Sequence, residues 1–300
     1  MILGIDIGGT AIKAGAVAEH GRILARQTLP FDRSLSFEEL ISVFARICDT
    51  LESETRELAT AIGVCMPGFV DRETGMLADG GANVPALRQG PLALALFEKT
   101  GRPVHLENDG VAATFGEQRF GAGRNVGRFA LLTIGTGVGG AVSIDGNVVT
   151  GSRGEPPEIG ATVLGETRPG MPQTFEKLAC AAAFIERYNG LCKDRSVESV
   201  PELFARIAED QLARQTVDEI ARVIAQVLSA LINSLSLDAC VIGGGVAAAG
   251  EALLEPIRSH LTSYVWPLLL KKTRVIGAEC GNDAGLVGVA SLAADTVAPK

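Results

Sequence analysis

LGIDIGGTAIKAGAV, residues 3–17, is an apolar run that ends in one acid, Asp6, crosses Gly8, Gly9 and Thr10, and resumes as a second apolar run. Two such runs around a glycine turn predict a β-hairpin, with strands over 2–7 and 12–18. The tip sets bare main chain beside a carboxylate. Glycine has no Cβ, so a ligand can approach its N–H closely, and successive N–H groups in such a turn cradle an anion.

The plan recurs. LLTIGTGVGGAVSIDG, residues 131–146, is again an apolar strand, a glycine tip, a second strand and a turn at Asp145-Gly146. Two copies of one α/β unit facing each other across a cleft account for the repeat. A third cluster, Gly243-Gly244-Gly245, follows the strand-like DACVI and precedes a helical stretch. Two glycine tips suit the two sides of a phosphate site, and the third offers a flat backbone surface for a nucleoside. Gly135, Gly137 and Gly140 also satisfy G-x-G-x-x-G, but the dinucleotide reading needs a helix next. AVSIDGNVV follows instead and reads as strand and turn.

Between these clusters the pattern alternates short strands with helices. Strands are expected at 21–30, 61–68, 103–109, 128–135, 238–245 and 273–279. Helices are expected at 37–53, from Pro91 to Gly101, from 109 to 121, at 246–261 and at 283–297. Residues 151–172, rich in Gly and Pro without a sustained period, read as a long functional loop, and 174–190 as one helix closed by Gly190. Thr216 with Glu219 reads as the capping box of a helix over 216–236.

The 300 residues suffice for two domains. At 47% hydrophobic and 21% charged residues the chain reads as globular, and its net charge of −8, with no basic cluster, argues against nucleic acid. No apolar run is long enough to cross a bilayer and no signal core follows Met1, so a cytoplasmic protein away from membranes is expected. Six cysteines form no C-x-x-C pair and read as reduced buried thiols.

DIGGT (6–10), MPGFVD (66–71), END (107–109), TIGTGVGG (133–140), EIG (158–160), IGGGV (242–246) and DAGLVG (283–288) stand in this order along nearly the whole chain. Together they resemble the ROK family of sugar kinases, within the actin-like ATPase and hexokinase superfamily. The pairing of GFVDRETG with ADGGA looks most like its β-glucoside kinase branch.

The resemblance implies two RNase H-like α/β lobes with mixed sheets flanked by helices. The lobes are expected at 1–117, with 284–300 packing back on it, and at 118–283. It implies ATP and Mg²⁺ as cofactors, a small-molecule sugar as acceptor, a homodimer, and transfer to a hydroxyl, expected to be the 6-hydroxyl, of a hexose or derivative. Asp109 matches the family's catalytic base; its position between strand and helix equally suits a helix cap. Glu158 and Glu176 match the family's two sugar-binding glutamates, with a solvated loop acid and an exposed helix acid as the alternatives; Asn108, otherwise a turn residue, can donate and accept and so suits a pair of sugar hydroxyls, and Asn83 is placed to reach the sugar from the opposite lobe. Asp6 would hold Mg²⁺ through water; Gly8, Gly9, Thr10, Thr136 and Gly137 would bind phosphate, and Gly243, Gly244 and Gly245 the nucleoside.

The chain departs from the family at two places. The family's usual lysine after the threonine is Ala11 here, and Lys13, on the same strand face, either replaces it or is solvated. The usual histidine is Ala161, and the cysteine-rich zinc loop is missing, so no structural zinc is expected and selectivity near the anomeric carbon is in question. A non-catalytic sugar-binding or regulatory protein is the alternative; regulators of the family carry an N-terminal helix-turn-helix, for which Met1 to Asp6 leaves no room.

Overall fold

The computed structural model describes residues 1–81, 84–192 and 195–298. In it, β1 (Ile2–Ile7) and β2 (Ala11–Val17) form the opening hairpin, with Asp6 opposite Lys13 and Ile7 opposite Ile12. β3 (Ile23–Pro30) continues the antiparallel ladder as the sheet edge, where its outer residues stay exposed. Ser36 caps α1 (Phe37–Thr55) in a reciprocal box with Glu39, satisfying two otherwise orphaned N–H groups. The apolar stripe of α1, including Leu40, Phe44 and Leu51, is fully buried. β4 (Ile62–Met66) lies parallel to β1 and is buried at every position, as a central strand covered on both faces must be. The small hairpin of β5 (Phe69–Val70) and β6 (Leu77–Asp79) leads to α2 (Leu92–Thr100), which ends on left-handed Gly101. β7 (Val104–Asn108) then runs parallel to β4 and passes directly into α3 (Asp109–Phe120).

The second half repeats the scheme. β8 (Arg128–Ile134) and β9 (Val138–Ile144) pair antiparallel, and Asp145-Gly146, both at positive φ, turn the chain into β10 (Asn147–Val148). That is the turn chemistry two-residue hairpins require. β11 (Val163–Arg168) and β12 (Met171–Thr174) form an exposed hairpin. Helices α4 (Phe175–Ala179), α5 (Ala181–Leu191), α6 (Val200–Arg206) and α7 (Gln211–Leu235) follow. Then come β13 (Ala239–Gly243), α8 (Glu251–Tyr264), α9 (Pro267–Leu270) and β14 (Arg274–Gly277). The two main sheets have strand orders β3-β2-β1-β4-β7 and β10-β9-β8-β13-β14, an identical arrangement of a hairpin, its edge strand and two parallel strands.

Four local expectations are corrected. The loop over 151–172 contains the β11–β12 hairpin, whose residues are mostly exposed and whose register slips twice, so no alternation marks it. The helix expected over 174–190 is two helices, because Cys180 is extended (φ −69°, ψ 168°) and the following N–H, of Ala181, donates to Gly135 O. The helix expected over 246–261 starts later, as α8, after Gly250 at φ 58°. Thr216 and Glu219 are not a cap: α7 starts five residues earlier on Asp210, which accepts from the N–H groups of Leu212 and Ala213, and Thr216 is buried inside the helix.

The last helix, α10 (Ala284–Val297), packs on β1, β4 and α3. The chain accordingly divides into residues 1–124, 148–157 and 283 onward as one unit, and 125–147 with 158–282 as the other. A boundary after 117 would cut α3. Residues 148–157 belong with the first unit because Arg72 N–H donates to Arg153 O at 3.1 Å and the Arg153 guanidinium lies 3.3 Å from the Asp71 carboxylate.

Absent side chains permit the docking of α10. A Cβ on Gly288 would lie 1.8 Å from Ala112 O, and one on Gly63 would lie 2.2 Å from Val289 O. Gly288→Ala is expected to destabilise the protein by about 2–4 kcal/mol, because main chain on both sides must move. Gly190→Ala, inside α5 with nothing within 4 Å of the new methyl, is expected to stabilise by about 0.5–1 kcal/mol. Chemical denaturation of the two variants checks both signs.

Candidate active site

The first unit carries a carboxylate-bearing strand end. Asp6 is the last residue but one of β1, with Lys13 across one ladder and Cys65 across the other. Burial raises its carboxyl to about 6; Lys13 opposes that shift, while the charges of Asp109 and Asp283 add to it. The Cys65 thiol hydrogen-bonds Asp6 and is itself held well above its ordinary value, first by burial. The start of α10 closes over this point: a Cβ on Gly285 would be 3.6 Å from Asp6 Oδ2.

Beyond Asp6 the hairpin tip is fixed atom by atom. Gly8 N–H donates to Ala11 O at 2.9 Å, so this amide is engaged in closing the turn and is not available to a phosphate. Thr10 O accepts from Phe31 N–H at 2.9 Å, and Gly9 O accepts from Arg33 Nε and Nη2 at 3.1 and 2.8 Å. The N–H groups of Gly9 and Thr10 have no partner among the described residues.

The END motif divides its work. Buried Glu107 accepts from Asn108 N–H at 3.0 Å and pairs with Arg72 at 3.2 Å, which fixes the strand end. Asn108 is the cap of α3: Oδ1 accepts from the N–H groups of Gly110 and Val111, and Nδ2 donates to Gly68 O at 3.0 Å. Asp109 is therefore the first residue of the helix and not its cap; its Oδ1 accepts from Gly110 N–H at 2.8 Å. Burial raises the Asp109 carboxyl above the usual range, with hydrogen bonds from Gly110, its own amide and Asn108 pulling the other way. Asn83 lies outside the described residues.

The second unit has its own tip. Gly135 N–H donates to Gly137 O at 2.9 Å, and the amides of Thr136 and Gly137 have no partner among the described residues. Glu176, on α4, accepts from Val138 N–H at 2.9 Å through Oε2. A Cβ on Gly137 would lie 2.5 Å from that oxygen. Glu158 is exposed ahead of a tight turn over 159–161, and that turn presses on β9, since a Cβ on Gly160 would lie 2.3 Å from Val138 O. Val138 thus joins the Glu158 turn, the Glu176 carboxylate and the glycine tip. Gly244, at φ 80°, places its main chain against Ile134 at the end of β8, where a Cβ would be 2.4 Å from Ile134 O, and Gly245 faces open space.

Arg33 and Cys65 are the site neighbours that sequence reading missed. Arg33 reaches Gly9 over 24 residues of chain, and Cys65 meets Asp6 through strand pairing; no local motif encodes either contact. A cavity of about 690 Å³ between β3 and α1, lined by Ile12, Leu29, Leu35, Val43 and Ile47 among others, includes none of the candidate site residues.

Comparison with known proteins bears on these arrangements. The family model described as "ROK family" matches residues 2–296. A glucokinase of Thermotoga maritima is 33% identical, over 97% of this chain and 96% of its own. A beta-glucoside kinase of Listeria monocytogenes is 30% identical, over 96% of this chain and 95% of its own. The crystal structure of a ROK family glucokinase from Streptomyces griseus in complex with glucose and AMPPNP superposes with a TM-score of 0.81 at 28% identity, over 98% of this chain and 99% of that one. The paired sheets, the ordered motifs and a match from the second residue to near the last lead to one assignment: the chain belongs to the ROK family.

Proposed function

We propose that the protein transfers the γ-phosphoryl group of ATP to the 6-hydroxyl of a hexose or hexose derivative such as glucose, an N-acetylhexosamine or a β-glucoside. At the level of reaction class it is an ATP-dependent sugar kinase. The observation that carries the finer reading is the release of Asp109 from capping: Asn108 caps α3, and the next carboxylate is left at the helix start as a candidate base.

Phosphoryl transfer asks a protein chiefly for positioning and charge stabilisation, together with an oriented nucleophile. Asp109 accepts the proton of the attacking hydroxyl. Its raised pKa makes it a stronger base than an ordinary aspartate while the α3 N-terminus keeps its anion tolerable. Glu158 and Glu176 grip sugar hydroxyls, and Asn108 contacts another. Asn83 is retained as a sugar contact on the resemblance alone. The free amides of Gly9, Thr10, Thr136 and Gly137 take phosphate oxygens, with Lys13 adding charge beside Asp6, and Gly243, Gly244 and Gly245 lie against the nucleoside.

Mg²⁺ fits the chemistry of this donor set: Asp6 is an oxygen ligand whose burial and acidic neighbours disfavour its anion unless a cation is near. Among the described residues no three His, Cys, Asp or Glu side chains gather to hold a metal, so Asp6 would hold the ion through water, with phosphate oxygens completing its shell. When bound, the ion supplies neutralisation of phosphate charge. The reading extends to a cytoplasmic homodimer: the dimer rests on family resemblance, and the free state of all six cysteines fits a reducing compartment. Among the described residues no helix is long and apolar enough to cross a membrane.

A coupled ADP-release assay over hexoses, amino sugars and glucosides, with the phosphorylated position read by NMR, tests the proposal. Absence of turnover on every sugar would favour the non-catalytic sugar-binding reading.

Asp109→Asn is expected to lower kcat by about 10²–10⁴-fold with nucleotide affinity retained. The acid limb of the wild-type pH–rate profile is expected above the ordinary aspartate range, since Asp109 must be ionised to act and its pKa is raised.

Asp6→Asn, without nucleotide or Mg²⁺, is expected to unfold at higher denaturant than wild type at pH 7–8. Asp6 binds its proton more tightly folded (about 6) than unfolded (~3.9), so ionisation costs the native state stability above pH 6 and nothing below both values. The advantage of the variant should be about 1–3 kcal/mol larger at pH 8 than at pH 4.

A further inference from the structure

We infer that Arg33 is a positioning residue for the nucleotide's phosphates: it sets the direction of the Thr10 amide. The inference rests on the ATP-binding role proposed above for the opening hairpin. Two of the guanidinium's N–H groups, on Nε and Nη2, converge on Gly9 O at 3.1 and 2.8 Å. A planar trans peptide points its C=O and the following N–H in opposite directions. Fixing Gly9 O toward Arg33 therefore turns Thr10 N–H to the opposite side of the tip.

The contact is placed where it matters most. The peptide on one side is already held, since Thr10 O accepts from Phe31 N–H, and the bond from Gly8 N–H to Ala11 O closes the turn around it. The Gly9–Thr10 peptide lies inside that closed turn, and a peptide that follows glycine is the freest to flip. Among the described residues no other partner chooses its face. Arg33 also brings a full positive charge to a tip whose own residues, Gly8, Gly9, Thr10 and Ala11, carry none. A planar fork with two donors on one carbonyl is a task lysine cannot reproduce.

The experiment is calorimetric titration of AMPPNP with Mg²⁺ into wild type, Arg33→Ala, Arg33→Lys and Arg22→Ala, with thermal unfolding of each. Arg22 sits at the other end of the β2–β3 ladder and controls for net charge. Arg33→Ala is expected to weaken AMPPNP by about 5–20-fold, Arg33→Lys by less, and Arg22→Ala not at all. The ¹⁵N–¹H signal of Thr10 should shift on AMPPNP addition in wild type and lose most of that shift in Arg33→Ala. In steady state the ATP KM should rise while the KM for the accepted sugar stays constant.

Unchanged AMPPNP affinity in Arg33→Ala, or an equal loss in Arg22→Ala, overturns the inference while leaving the kinase assignment standing. If Arg33→Ala is unfolded, Arg33→Lys decides: affinity equal to wild type overturns the positioning role. If wild type itself binds no AMPPNP, the nucleotide role of the hairpin fails first.

Discussion

Four main-chain N–H groups, on Gly9, Thr10, Thr136 and Gly137, are left without partners among the described residues, and their surroundings keep them in that condition. Unpaired amides are costly when buried, so these stand at accessible tips where an anion can complete them. Acceptors at the tips are engaged by other donors. Ala11 O takes Gly8 N–H, Glu176 Oε2 takes Val138 N–H, and Gly137 O takes Gly135 N–H. A side chain at Gly137 would displace the Glu176 carboxylate that holds Val138. The glycines thus give access, and the residues around them prevent the loops from satisfying themselves.

The two sheets share one strand order but differ in what they attach to it. In the first, acids stand near the strand ends: Asp109 follows β7, and Asp6, next to last in β1, lies opposite Cys65 of β4. In the second, the corresponding tip is flanked by Glu176 and the Glu158 turn, and the strand that follows ends in Gly243-Gly244. One scaffold, used twice, carries buried carboxylates at its strand ends in one copy and carboxylate-braced glycine loops in the other.

Much of this was legible in the sequence because it is local. The hairpins, the Asp145-Gly146 turn, the burial of β4 and the capped helix after END each follow from a few adjacent residues. What was not legible depends on distant partners. Thr216 with Glu219 has the spacing of a capping box, yet Asp210 begins the helix earlier and buries Thr216. Cys180 interrupts a run of good helix formers because the next amide, Ala181 N–H, is drawn to Gly135 O. Asn108 and Asp109 are adjacent polar residues at a strand end, and which of them caps is settled by the bond from Asn108 to Gly68. The exposed β11–β12 hairpin carries no period because it buries almost nothing.

The return of α10 to the first sheet has a consequence for how the molecule is made. The helix that covers β1 and β4, and whose first turn closes over Asp6, comes from a stretch of chain made long after the strands it covers. Native contacts of such high sequence separation form late. The second unit can fold as its strands emerge, whereas the first waits, with apolar strands uncovered, until residues 284–297 have been made. A message cut short before residue 284 yields a protein with one finished half, an exposed sheet and no completed carboxylate pocket, a natural substrate for chaperones and proteases.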